Sequence, residues 1–366
     1  MSQYLLIDQP AALPEALACL EPATQVALDT EFMRERTYYA GLCLVQLAVG
    51  PTVLVVDPLQ VEDLSALLAL LAAASREKVL HAARQDLEVL FPLTGAPLAP
   101  VFDTQVAAAL LGLPAQVGYG DLVNRVLGVA LEKGHARTDW SLRPLKAAQL
   151  TYAADDVRYL TPLRDELAAR LDAAGRLHWL VEEMRGFEDP SLYRTEPELA
   201  WRRLKGLERL TPLQHATARA LARWREERAM RRNLPRGWIL PDDAIRELAR
   251  DRPRSAAGLG QVASVPGGAL AKLGDEMLEV IASAAPEAVD ERGPPEDRPT
   301  PEQSATLKRL QQTLVTLAAQ LEISAEVLAT RRDLAAMMRG DRDVAPLSGW
   351  RREVVGEPLL RALGEA

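Results

Sequence analysis

Cysteine is scarce in this chain: 366 residues include only Cys19 and Cys43, both in apolar segments. Neither has metal-ligand spacing, so a disulfide framework and a zinc module are excluded. The pair reads as two reduced core residues of a cytoplasmic protein. Long hydrophobic runs are missing as well. The greasiest stretch, 64–74, is too short to cross a bilayer and suits a buried helix, so no membrane partner is expected. The opening residues Met1-Ser2-Gln3-Tyr4 lack a basic segment and a sustained apolar one, so no secretory leader is expected. No G-x-x-x-x-G-K-[ST] occurs, which removes P-loop nucleotide chemistry. An overall positive charge is absent too, the net charge being −8.

What is present is a globular composition, 48% hydrophobic and 26% charged, long enough for two or three domains. The charge is uneven. Between Trp201 and Arg254 there are 15 basic and 7 acidic residues, a basic island in an otherwise acidic protein.

Strands are expected at 4–7, 26–29, 42–49, 52–57, 79–81 and 101–102, with a tight Gly50-Pro51 turn joining the third and fourth. Helices are expected at 64–74, from about 85, at 104–111, and at 144–154 running on into 157–171, with 112–140 irregular. A strand meander followed by alternating helices and strands predicts a mixed sheet flanked by helices. After a polar connection at 188–190 the pattern is all helical. Thr211-Pro212 is an N-cap and first-turn signal, and Leu213, Ala216, Ala220, Leu221 and Trp224 share helical spacing. Further helices are expected near 243–250 and 269–284. The Pro-rich acidic stretch at 285–303 reads as a linker, and a last helical unit follows at 304–363.

The chemistry begins at Asp29-Thr30-Glu31-Phe32, after the apolar run Val26-Ala27-Leu28. Side chains alternate on a strand, so Asp29 and Glu31 share a face and Thr30 turns away. Two carboxylates held together repel, and a divalent cation with oxygen ligands relieves them. Two acids splayed into solvent is the bland alternative. Asp86 opens a helix just after a buried strand, at a sheet edge where sites are built, or it is simply an N-terminal acid favoured by the helix dipole. Tyr152 and Asp156 are one turn apart on one helix face, with Asp155 rotated away as a solvated neighbour.

In this order and on these elements the four acids and the tyrosine resemble the DEDD exonucleases of the tyrosine subtype, and among them the ribonuclease D family. Arg36-Thr37-Tyr38-Tyr39, Phe102-Asp103-Thr104-Gln105, Arg137-Thr138-Asp139-Trp140 and Arg143-Pro144-Leu145 carry the same resemblance. The region after Thr211 is similar to the HRDC module, and Ala329–Leu334 and Leu347–Val354 to the family's second helical module. The resemblance implies an RNase H-like exonuclease domain at 1–175, a helical connection at 176–207, an HRDC domain at 208–287, a linker at 288–302 and a second HRDC-like domain at 303–366. It implies a 3′→5′ exoribonuclease that uses two divalent ions, Mg²⁺ or Mn²⁺, releases 5′-mononucleotides and trims tRNA precursors. In that scheme Asp29, Glu31 and Asp156 hold the first metal, Asp29 bridges to the second, Asp86 stands near the second directly or through water, and Tyr152 orients the attacking water. No obligate protein partner is implied.

Several neighbours have two readings. Asp103 reads as a helix N-cap sooner than as a ligand, and His81 as a satisfied polar residue. Phe32 and Tyr38 suit either base stacking or packing. Arg137 and Arg143 suit either phosphate contacts or surface salt bridges. Arg223, Arg225, Arg228, Arg231 and Arg232 suit either a phosphate-binding face or a solvated helix face. Trp224 reads as core. Two other functions use the same features: a DNA-directed 3′→5′ exonuclease and an inactive RNA-binding scaffold. The intact acids speak against the scaffold, and 2′-hydroxyl recognition separates RNA from DNA.

Overall fold

A computed structural model describes residues 4–132, 134, 138–285 and 300–364. Contacts divide the chain into two compact units. The first comprises Met1–Met33, Leu42–Tyr193 and Arg298–Ala366, and the second Arg34–Gly41 and Arg194–Asp297.

In the first unit, β1 (Leu5–Ile7) and α1 (Leu13–Ala18) precede a meander of β2 (Gln25–Met33), β3 (Gly41–Val49) and β4 (Thr52–Val56). Then come α2 (Ser65–Ala72), β5 (Glu77–Leu80), α3 (Arg84–Thr94), β6 (Val101–Asp103) and α4 (Thr104–Leu110). The helices α5 (Tyr119–Leu127), α6 (Ala147–Arg158), α7 (Leu160–Ala173) and α8 (Leu177–Arg185) complete the run. The sheet order is β1-β4-β3-β2-β5-β6, with β3 antiparallel to β4. The pairs β1–β4, β2–β5 and β5–β6 are parallel. This is the mixed sheet that the sequence predicts. Consecutive residues Val26–Leu28, Leu44–Val45 and Val53–Val56 are all buried, as strands covered on both faces require. Helix α6 packs on β2 and β4, and α7 on β2 and β5.

Three local differences stand out. β2 continues to Met33, so Asp29 and Glu31 lie within the strand and not at its tip; the nine-residue β3 is its neighbour in the sheet. Helix α5 lies inside the stretch expected to be irregular. Only Leu122 and Val123 of it are buried, and Gly118 and Gly128 cap it, so the glycines that mark its ends obscure its period. Helix α6 starts at Ala147, not Pro144, because the Gln149 carboxamide accepts the Lys146 backbone N–H and fixes the first turn there.

The chain from Thr300 onward folds into the same unit. It forms α14 (Pro301–Leu321), α15 (Ala325–Leu328), α16 (Arg331–Met338), α17 (Gly349–Arg351) and α18 (Glu357–Leu363), numbered after the five helices of the second unit given below. Leu310, Leu314 and Trp350 share one core with Leu163 and Trp179. The Trp350 and Trp179 rings stack with centroids 4.3 Å apart, and Trp350 Nε1 donates to Glu183 at 2.8 Å. Gly112, at φ +87°, leaves no room for a side chain, since a Cβ there collides with the Glu322 carbonyl oxygen. The helices expected as a separate module at 303–366 are thus built onto the sheet domain. The linker expected at 288–302 lies almost wholly outside the described residues; from Thr300 the Thr300–Gln303 capping box begins α14.

The second unit contains α9 (Pro212–Arg232), α10 (Arg236–Ile239), α11 (Asp242–Asp251), α12 (Ala256–Leu259) and α13 (Gly267–Ser283). Thr211 caps α9 in a reciprocal box with Gln214, as its sequence predicts. The buried face differs from the expected one. Ala218, Leu221, Ala222, Arg225, Glu226 and Ala229 face the core, while Leu213 is 39% exposed. Two charged side chains are tolerated inside because each is paired. Arg225 donates to the Leu240 carbonyl and Asp242, and Glu226 accepts from Tyr38, Arg203 and Arg236.

Candidate active site

Strand β2 and helix α6 bring three carboxylates to one place. One oxygen each from Asp29, Glu31 and Asp156 lie within 4.8 Å of one another. At that distance two full charges repel by about 3.5 kcal/mol at a protein-like effective dielectric. Burial, and then the neighbouring Asp86, Asp156 and Glu31, hold the Asp29 carboxyl well above the ordinary carboxylate range. Burial and the same repulsion push Glu31 to about 8. Asp156 is pushed to about 7 by burial, against the hydrogen bond it accepts from the Tyr152 hydroxyl. The charged groups that act most on Asp29 and Glu31 are other carboxylates. A cluster of hard oxygen donors that repel one another fits divalent cations.

Asp86 stands apart from this trio. It is buried on the first turn of α3, and its Oδ1 accepts both the Thr30 backbone N–H (3.1 Å) and hydroxyl (2.6 Å). Its carboxyl is raised to about 6 by burial, against those hydrogen bonds. Thr30, turned away from the Asp29–Glu31 face, thus ties the strand to the helix that carries the fourth acid.

Asp103 is an N-cap, as its position predicts, and does more besides. It accepts from Gln105 N and Val106 N at the start of α4. It also accepts from Ala82 N (3.1 Å) and Ala83 N (2.8 Å) in the turn leading into α3, where Ala82 holds φ +57°. His81 is satisfied by the Thr104 hydroxyl and the Val117 carbonyl, both at 2.9 Å. Asp155, expected as a solvated neighbour, is outside the cluster, partly exposed and paired with Arg158 at 2.9 Å. Phe32 is half-buried on β2. Tyr38 belongs to the second unit, where its hydroxyl donates to Glu226 at 2.5 Å. Arg137 lies outside the described residues.

Sequence reasoning gave no role to Trp140 or Tyr119. Trp140 is 2% exposed and stacks on Tyr152 with centroids 6.3 Å apart and planes at 29°. The Tyr119 hydroxyl donates to the Asp155 carbonyl and accepts from Tyr159 N, which braces the end of α6. The available signal was an aromatic just ahead of the tyrosine helix, at the end of the Arg137–Trp140 motif.

Carboxylates clustered from a strand and a helix over a mixed sheet suit a divalent-metal site, and the family comparisons give the class as a 3′–5′ exonuclease. Residues 4–172 match the 3′–5′ exonuclease family, and residues 214–281 match the HRDC domain. Ribonuclease D of Acidiphilium cryptum is 44% identical over 98% of this chain and 93% of its own length. Ribonuclease D of Sphingobium indicum is 38% identical over 98% and 94%. The crystal structure of Escherichia coli RNase D, described as an exoribonuclease involved in structured RNA processing, superposes with a TM-score of 0.87. It has 32% identity and covers 99% of each chain. The chain belongs to the ribonuclease D family and is a 3′→5′ exoribonuclease, a hydrolase. Among the described residues, no helix is long and apolar enough to cross a membrane.

Proposed function

We propose that the chain trims structured RNA precursors, tRNA precursors foremost, from their 3′ ends by two-metal phosphodiester hydrolysis with release of 5′-mononucleotides. The observation that carries this is the Asp29–Glu31–Asp156 trio, one oxygen from each within 4.8 Å of the others, whose Asp29 also feels the charge of Asp86. Asp29, Glu31 and Asp156 would hold one ion, with Asp29 shared with a second near Asp86. Bound Mg²⁺ or Mn²⁺ supplies an activated water and neutralises charge on the leaving oxygen. We assign the orienting of that water to Tyr152, whose hydroxyl donates to Asp156. Its pKa is raised by burial and by the surrounding acids, so it stays protonated at neutral pH and serves as a hydrogen-bond donor and not as a base.

RNA binding by the second unit follows from its arginines, of which the structure leaves fewer than the sequence offered. Arg225 is buried against Asp242, Arg223 pairs with Glu227 and Glu198, and Arg228 pairs with Glu276. Arg231 and Arg232, with Arg228, line a cavity of about 420 Å³, and this is the phosphate-binding face we assign. The test is digestion of a 3′-extended tRNA beside matched single-stranded DNA, each with Mg²⁺ and with EDTA. Mononucleotides from the RNA, only with metal, are the expected result. Preference for DNA, or activity surviving EDTA, contradicts the reading.

A further inference from the structure

The loop entering α6 is held by one guanidinium whose hydrogen-bonding capacity is fully used. Arg143 Nε donates to Asp57 Oδ2 at 2.6 Å, and Nη2 donates to Asp57 Oδ1 at 2.7 Å and to the Cys43 carbonyl at 2.8 Å. Nη1 donates to the carbonyls of Trp140 (2.7 Å) and Leu142 (2.9 Å). An arginine has five N–H donors, so none is left over for a phosphate. This disposes of the phosphate-contact reading of Arg143. The side chain is a clamp, and its anchor is stiff. Asp57 immediately follows β4, is buried, and also accepts the Leu59 N–H at 3.0 Å. Bidentate Arg–carboxylate pairs fix direction as well as distance.

What the clamp fixes is Trp140. Its carbonyl is one of the five acceptors, and its buried indole lies beside the Tyr152 ring in an offset arrangement, centroids 6.3 Å apart. The Tyr152 hydroxyl donates to Asp156. Tyr152 is half-buried, with the indole as a packing neighbour of its ring. A continuous series of contacts therefore runs from the end of β4 through Asp57, Arg143 and Trp140 to the phenol at the carboxylate cluster.

We propose that Trp140, locked by the Asp57–Arg143 clamp, is a positioning residue that sets the orientation of the Tyr152 hydroxyl for the hydrolytic step. The inference rests on the water-orienting role proposed for Tyr152. Misplacing an orienting group by about 1 Å costs on the order of 100-fold in rate, whereas RNA binding, made elsewhere, is unaffected. Trp140 touches Tyr152 and not the reacting atoms, so its effect has to pass through the phenol.

The experiment is a double-mutant cycle on the full-length protein with Mg²⁺, reading kcat and KM for mononucleotide release from a short RNA. Trp140→Leu is expected to lower kcat by about 10- to 100-fold with KM nearly unchanged, and Trp140→Phe to recover most of that activity. In a Tyr152→Phe background, Trp140→Leu is expected to have no further effect. Arg143→Lys, which keeps the charge but not the fork, is expected to lower kcat less, and this effect also vanishes in that background. It keeps the cycle readable if the leucine variant folds poorly. Effects that multiply with Tyr152→Phe, or that fall on KM alone, overturn the positioning role while leaving the assignment of Tyr152 intact. A Tyr152→Phe enzyme with wild-type kcat overturns that assignment, and the positioning role with it.

Discussion

Asp29, Glu31, Asp86 and Asp156 are each more costly to ionise in the fold than in water, and this makes them measurable. A carboxyl whose folded pKa is raised favours the folded state below its unfolded value, near 4, and loses that contribution as pH rises through the folded value. With folded values of about 6, 7 and 8 for Asp86, Asp156 and Glu31, the metal-free protein should lose thermal stability between about pH 5 and 8. Calorimetry in EDTA checks this. Glu31→Gln should flatten the fall, and Mg²⁺ should remove most of it; an equal slope in wild type and Glu31→Gln counts against a strained cluster. Asp29→Ala and Asp156→Ala should each reduce mononucleotide release by more than about 100-fold, since even supporting groups behind metal ligands cost 10- to 100-fold. Near-wild-type turnover in saturating Mg²⁺ removes the assignment.

At the scale of elements, the helices after Thr300 behave as part of the sheet domain. Deleting everything from Thr211 onward would therefore strip Trp350 from Trp179 and empty part of the core that holds α8. Trp350→Ala alone should cost about 3–5 kcal/mol, read as a lower denaturation midpoint. The RNA-binding face is better tested by Arg231→Ala with Arg232→Ala. The pair should weaken RNA affinity and reduce the slope of log K against log salt by about 0.7 for each phosphate that is no longer neutralised. An unchanged slope refutes the face. The same scale shows what the sequence could reveal. The acids were readable because alternation on a strand and i, i+4 spacing on a helix are local rules, and Thr211-Pro212 was readable for the same reason. The buried face of α9 was not. Arg225 and Glu226 look solvent-facing until Asp242, Arg203, Arg236 and Tyr38, distant in sequence, are found around them. Trp140 and Arg143 were visible as motif letters, but their work depends on Asp57 and Tyr152, neighbours that only the fold supplies.

For the molecule as a whole, a basic island within an acidic chain has a simple physical reading. Hydrolysis needs acids to hold cations, while grip on a polyanion needs arginines, and the proposed metal site and phosphate-binding face lie in different units of the chain. The central claim is that the carboxylates of β2, α3 and α6 form a two-ion site in which Asp29 is shared. Titration of the metal-free protein with Mn²⁺, counting ions bound per chain by calorimetry or paramagnetic resonance, tests it most directly. The account predicts two ions for wild type and at most one, weakly held, for Asp29→Asn. A single ion in wild type, or a count of two that survives Asp29→Asn, would contradict it.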